Sequence, residues 1–347
     1  MTSLLIGLAI AQIYGCGAVL NSHTNRDTFT KTRARVNNPQ IVIPLQFDSA
    51  LDFSEELALV KINGKRGYIN KTGEFTIPPQ FEAGRSFSQG LAAVRIEGKW
   101  GYIDKSGNWV IKAQFEEALS FSEGLAEVKR GSKWGYIDKS GKWAIEPQFN
   151  DTAPFSEGLA LVEVNSQQGY IDNSGNSVIK PQFEEAESFS EGLAKVKRDD
   201  KWGYLDNTGN LVVPLQFNDA ASFSEGLAAV AIDNKSGYID KTGEFIVPPQ
   251  FHWAGNFSNG MAGIVIGDKV GYIDNIGNIV IAPQFDNTYN FSEGLVAVKN
   301  ADKWGYIDTT GNLVIQPRFD SAWPFSQGVA RVKLGKKYGY LQNPLRN

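Results

Sequence analysis

The chain has 347 residues, of which 42% are hydrophobic, 12% aromatic and 21% charged, with a formal net charge of -4 and a pI near 5.4. That apolar content excludes disorder as the main state, and the even mixing of lysine with glutamate leaves no single-sign stripe to gather phosphates, so nucleic acid is not an expected partner. One cysteine, Cys16, and two histidines, His23 and His252, exclude a disulfide framework and leave no metal-ligand set.

Residues 1–25 carry no charged side chain, and Leu4 to Tyr14 is an apolar run of signal-peptide length followed by the small residues Cys16, Gly17 and Ala18. Segment 1–21 is expected to be a signal peptide or hydrophobic N-terminal segment. The protein is then exported, periplasmic or associated with the cell envelope; the alternative is a cytoplasmic protein with a buried hydrophobic N-terminus. The run Ile13, Tyr14, Gly15, Cys16 resembles a lipobox, which makes Cys16 a lipidation candidate, although Tyr14 departs from that pattern. The run is short against the roughly 20 residues of a membrane span, so no integral membrane domain is expected beyond an N-terminal anchor. Residues 22–40 are polar, with Arg26, Lys31, Arg33 and Arg35 against Asp27, and read as a linker.

From 41 to 342 the chain repeats one unit. Its Gly-Tyr pair recurs from Gly67 to Gly339, always 34 residues apart, with no insertion or deletion. Such a period marks units that cannot bury an apolar face alone and stack on their neighbours. Within the unit, Leu91 to Ile96 alternates as a first strand, Glu97 and Gly98 turn the chain, and Trp100 to Asp104 forms a second strand. The tetrad Asp104, Lys105, Ser106, Gly107 is a tight turn leading to a third strand from Trp109. The remainder, Gln114 to Gly124, stays open between a short fourth strand and an irregular cover. Paired helices of similar period are excluded by the recurrent glycines and turns.

The expected fold is all-β: nine tandem 34-residue β-meander repeats forming a β-solenoid, with a closed propeller-like ring as the alternative. The array starts with a third strand (Ile41 to Ile43) and ends with a second (Tyr338 to Leu341), so the N-terminal strand could complete the last unit. Nine units exceed the roughly four to eight blades of common propellers, and the unit is short for a four-stranded blade, which favours the solenoid.

The tyrosines of the GY pair, Tyr68 to Tyr340, and the phenylalanines from Phe53 to Phe325 recur in every unit and read as core. The serine after each phenylalanine, such as Ser88 or Ser122, reads as a partner for backbone in its own turn and not as a nucleophile. The residue before each GY pair varies: Trp100, Trp134, Trp202 and Trp304, but Arg66, Gln168, Ser236, Val270 and Tyr338. A position that accepts glutamine, serine and arginine reads as partly exposed. The four tryptophans are therefore candidate ligand-binding residues, and alanine at Trp100 and Trp134 is expected to leave stability nearly unchanged.

Asp104 and Asp172 open turns and offer one carboxylate each, too few for calcium. The glutamates at 116, 117, 184 and 185 are replaced in other units by Asn150, His252 or Ala83, as on a solvated face. With no nucleophile triad, phosphate loop or dinucleotide fingerprint, no catalytic residue, metal or cofactor is expected, and the protein is not expected to be an enzyme. The alternative, a propeller-type hydrolase or glycan-processing enzyme, would rest on residues that break the repeat: Glu56, His252, Trp253 and Met261.

The segments WGYIDKSG and PQFEEAESFSEGLAKV, with their copies, resemble the bacterial WG repeat, also called the KWG repeat, over residues 41–342. The resemblance implies a tandem β-strand array without established enzymatic activity, distantly similar to cell-wall-binding hairpin repeats. The expected function is a non-catalytic repeat scaffold or binding module of the cell envelope, monomeric, taking a protein or cell-wall glycan partner. Five of the nine units lack the tryptophan that gives the repeat its name.

Overall fold

Tight turns set the strands of each unit. Asp104 Oδ1 accepts from the N–H groups of Ser106 and Asn108, each at 2.9 Å, and Gly107 takes a φ of 86°, in the left-handed region that favours glycine. The preceding Glu97-Gly98 loop has φ values of 50° and 77°, which suit a two-residue hairpin whose twist matches its strands. Between these turns run the antiparallel strands Leu91–Ile96, Lys99–Asp104 and Trp109–Phe115. The glycine of the GY pair is fixed by close approach: a Cβ on Gly101 would lie 2.5 Å from the Ile111 carbonyl oxygen.

A computed structural model describes residues 40–346. In it the stretch that the sequence left open contains a two-residue strand, Glu117–Ala118, paired to Leu125–Arg130, and then an irregular segment closed by a turn from Ser122 to Leu125. Every sheet among the described residues therefore has four strands, in the order short strand, hairpin pair, outer strand, and nine such sheets form there. Blades 1 to 9 begin at residues 49, 83, 117, 151, 185, 219, 253, 287 and 321. The ninth takes its outer strand from the other end of the array: Ile41–Phe47 pairs with Lys337–Gln342.

The array is thus a nine-bladed β-propeller, and the expected solenoid is corrected to the ring. A 34-residue unit suffices because its fourth strand needs only two residues. Consecutive blades are joined by hydrogen bonds repeated without a gap. Each GY tyrosine donates its hydroxyl to a carbonyl just past the short strand of the next blade, from Tyr68 to Arg85 through Tyr340 to Leu51, over 2.5–3.3 Å. Each serine of the FS pair donates to the phenylalanine carbonyl of the next blade, from Ser54 to Phe87 through Ser326 to Phe53, over 2.6–3.2 Å. The serines were expected to bond within their own turns; they bridge blades instead. Because these bonds cluster at the short-strand edge, where neighbours come closest, that edge faces the axis and the outer strand faces the rim.

The core is divided among the junctions. Tyr102, Ile111 and Phe115 of blade 2 pack on Ala118, Ala126, Val128 and Ile137 of blade 3. At every junction the tyrosine meets a phenylalanine of the next blade, with ring centroids 4.8–5.0 Å apart. At the rim, prolines such as Pro79, Pro147 and Pro181 remove donors from the outer strands, which blunts the exposed edges against pairing with other chains. Among the described residues no helix is long and apolar enough to cross a membrane.

Closure has a direct test. Tyr340→Phe removes a buried bond across the ring seam and is expected to cost about 1–3 kcal/mol, as much as Tyr170→Phe within the ring. Urea titration of both variants measures this; a silent Tyr340→Phe beside a costly Tyr170→Phe would mean that the ring is open.

Candidate functional site

The residue before each GY pair faces the next blade near the inner edge. Trp100 is only 7% exposed and belongs to the core of the junction between blades 2 and 3, with the Arg85 guanidinium 5.4 Å above its ring. Trp202 and Trp304 are also buried, Trp202 beneath the Lys195 ammonium and Trp304 against the Tyr289 ring. Trp134 is half-buried beside Lys129. The expectation that all four tryptophans are partly exposed is thus corrected for Trp100, Trp202 and Trp304. Polar residues are tolerated here because backbone of the neighbouring segment satisfies them: Arg66 donates to the Glu82 carbonyl, and Gln168 accepts from the Ala186 N–H.

The residues that break the repeat do not converge on one reactive centre. Glu56 pairs with Lys71 at 2.7 Å in blade 1. His252 accepts the Gly267 N–H at its Nδ1, which is the hairpin-capping role of Asp48, Glu82, Asn150 and Glu184 in other blades. Met261 is buried. The calcium-like turns spend both carboxylates locally: the Asn108 N–H leads in lowering the Asp104 carboxyl and the Asn176 side-chain amide leads in lowering that of Asp172, with the other turn donors adding to each. No cluster of three or more potential metal ligands occurs among the described residues. The N-terminal segment 1–21, Cys16 and the linker up to residue 39 lie outside the described residues.

Trp253 is different. It is 50% exposed and lies in the short strand of blade 7. Its indole lies across two glycines: a Cβ on Gly255 would come 2.7 Å from the ring, and one on Gly263 would come 3.8 Å from it. The unit of blade 2 has Arg85 and Ala93 at those two positions, and that of blade 5 has Glu187 and Lys195. On the facing blade the residue before the GY pair is Ser236, the smallest of the nine. Ser236, Trp253 and Gly255 line a cleft of about 320 Å³ between blades 6 and 7, together with Asp219, Ala229, Asn256 and, from blade 8, Asn290. It presents one aromatic face, one carboxylate, amides and a hydroxyl.

A second unusual group lies at another junction. Glu127 of blade 3 is fully buried and neither carboxylate oxygen has a hydrogen-bond partner. Burial pushes its carboxyl up to about 7, against an ordinary value of 4.5, with Asp151 adding to the rise and Arg85 opposing it. Nothing beside it forms a nucleophile or a proton relay.

The geometry defines a β-propeller with packed junctions and a cleft beside Trp253. The WG containing repeat matches residues 37–65, 67–100, 100–134, 134–167, 169–202, 202–235, 237–269, 271–304 and 304–338, and the chain belongs to the WG-repeat family. Among solved structures it is similar to the crystal structure of the eukaryotic initiation factor, at 15% identity over 82% of this chain and 88% of that one, with a TM-score of 0.57. It is also similar to Kluyveromyces lactis Hsv2p, at 11% identity over 65% of this chain and 92% of that one (TM-score 0.40). A third is PorZ, a surface component of the type-IX secretion system of Porphyromonas gingivalis, at 12% identity over 88% of this chain and 52% of that one (TM-score 0.33). At these identities the first likeness is one of fold alone. No curated protein sequence matches significantly.

Two outcomes follow. Trp100→Ala is expected to cost about 3–5 kcal/mol, whereas Trp253→Ala costs less than about 1, a contrast that thermal and urea unfolding measure. Glu127 binds a proton in the folded chain that the unfolded chain releases, so its contribution is fully present below pH 4.5 and is lost as pH rises through about 7. Glu127→Gln is therefore expected to raise stability at pH 8 by roughly 1–3 kcal/mol and to flatten the pH profile between 5 and 8.

Proposed function

We propose that the protein is a non-catalytic binding module of the cell envelope, a rigid propeller that presents the cleft between blades 6 and 7 to a protein segment or a cell-wall glycan. One observation carries this reading: the exposed indole of Trp253 and the small residues Ser236 and Gly255 line one cleft, with Gly263 beneath the indole. Together they place an exposed aromatic face on the wall of a cleft that also holds a carboxylate. The enzymatic alternative loses support, since Glu56 and His252 are engaged by an ion pair and a hairpin cap. The envelope location is supported by the uncharged start of the chain, with its apolar run from Leu4 to Tyr14.

The test is retention of purified wild-type and Trp253→Ala protein on cell-wall glycans and on immobilised envelope protein. Wild-type retention that falls at least tenfold in the variant, with unfolding unchanged, is the expected result. Equal retention of both proteins would move the binding surface elsewhere, and absence of wild-type retention on either material would overturn the module reading.

A further inference from the structure

The cleft lacks the basic side chain that two other junctions hold at the corresponding place. In blade 5, Lys195 lies with its ammonium 4.6 Å from the Trp202 ring centroid, donates to the Ala220 carbonyl of blade 6 at 2.8 Å and pairs with Glu187 at 2.8 Å. In blade 9, the Arg331 guanidinium lies 3.9 Å over Trp323 and donates to the Ala50 carbonyl of blade 1. Its Nε is 3.0 Å from Asp52 Oδ1, close enough for an ion pair though not aligned as a hydrogen bond. Both junctions thus combine an indole face, a carboxylate and a short-strand carbonyl around one basic side chain.

At the junction of blades 6 and 7 the residue at the place of Lys195 and Arg331 is Ala229, and Ala229 lines the cleft. The places of the indoles and carboxylates of those two junctions are held here by Ser236, Ala221 and Asn256, and an indole and a carboxylate reach the cleft from other positions of the unit. Trp253 supplies an indole, Asp219 a carboxylate, and Ala254 stands where Ala220 and Ala50 stand in the other two. No lysine faces Asp219 across its strand pair: Glu117 is opposite Lys129 and Glu185 opposite Lys197, whereas Asp151 is opposite Glu163 and Asp219 opposite Ala231. Its Oδ1 accepts the Ala220 N–H at 2.9 Å, and no lysine or arginine is among the residues lining the cleft. The remaining side chains, Ser236, Asn256 and Asn290, are neutral and can each turn an oxygen toward a donor.

We infer that the cleft between blades 6 and 7 binds an organic cation, a primary ammonium or guanidinium on an apolar stem, in the place that Lys195 and Arg331 fill at their own junctions. Cation–π attraction to Trp253 and ion pairing with Asp219 act together, and the stem lies on Ala229 and Ala221. Such a head comes either from a basic side chain of a protein partner or from an amino sugar. The inference rests on the reading of this cleft as the binding surface, and it names the chemistry of the occupant.

Protein labelled with 5-fluorotryptophan gives a fluorine signal for Trp253, identified by its loss in Trp253→Phe. The probes are the tripeptide acetyl-Gly-Arg-Gly-amide, glucosamine, and neutral N-acetylglucosamine. The Trp253 signal is expected to shift with the tripeptide, with glucosamine, or with both, which separates the two sources, and to stay unmoved by N-acetylglucosamine. Asp219→Asn is expected to weaken binding about tenfold, and raised salt to weaken it further. Ala229→Lys fills the cleft from within; it is expected to abolish the shift while unfolding at no lower urea than the parent, so that loss of binding is separable from loss of fold. Shifts by N-acetylglucosamine equal to those by glucosamine, or no shift with either cation, would overturn the inference. If the cations fail while Trp253-dependent retention on envelope material persists, the binding module stands and only its cationic occupant falls.

Discussion

Everything in this ring depends on the hydroxyl of a buried tyrosine reaching the backbone of the next blade. Burial pushes all nine of these hydroxyls above their ordinary value, so each keeps its proton and stays a donor at neutral pH. A buried donor without a partner costs roughly 1–3 kcal/mol, and an open array would leave one such donor at its end. The ring removes that cost by giving Tyr340 a partner 289 positions away in sequence. The serine bonds run beside it, and the tyrosine–phenylalanine edge contacts fix the distance between blades.

Because these bonds are directed to backbone, the blades stay joined whatever side chains occupy the remaining inner positions. Those positions are where the units differ. Some junctions are packed by tryptophan, others are held by a basic residue over an indole, one buries the carboxyl of Glu127, and one stands open beside Trp253. A scaffold that separates the residues holding it from those that vary can place one recognition site among nine similar units without disturbing the rest.

The same separation explains how much of the site could be read in advance. Variation before the GY pair was read as exposure, yet Arg66 and Gln168 are accepted there because backbone of the adjoining segment satisfies them. His252 stood out as a chemical group but caps a hairpin as Asp, Glu and Asn do elsewhere. Trp253 stood out for a better reason, and the paired signal lay in Gly255, Gly263 and Ser236, three small residues at positions that are mostly larger in other units. Nothing in their spacing shows that the first two lie beneath the indole of their own blade, or that the third stands across from it on the blade before.

The sequence by itself determined the unit: its period, its strands and turns, the invariant tyrosine and phenylalanine core, and the N-terminal strand placed to complete the last repeat. These features are local, set by hydrogen bonds and side-chain alternation within 34 residues. Only the tertiary structure decided that the array closes, that the tryptophans face neighbouring blades, and that one junction opens into a cleft. Closure depends on a small rotation per unit adding up to a full turn, a sum that no single unit encodes. The contacts that follow from it join residues a whole repeat apart, or, at the seam, almost the whole array apart.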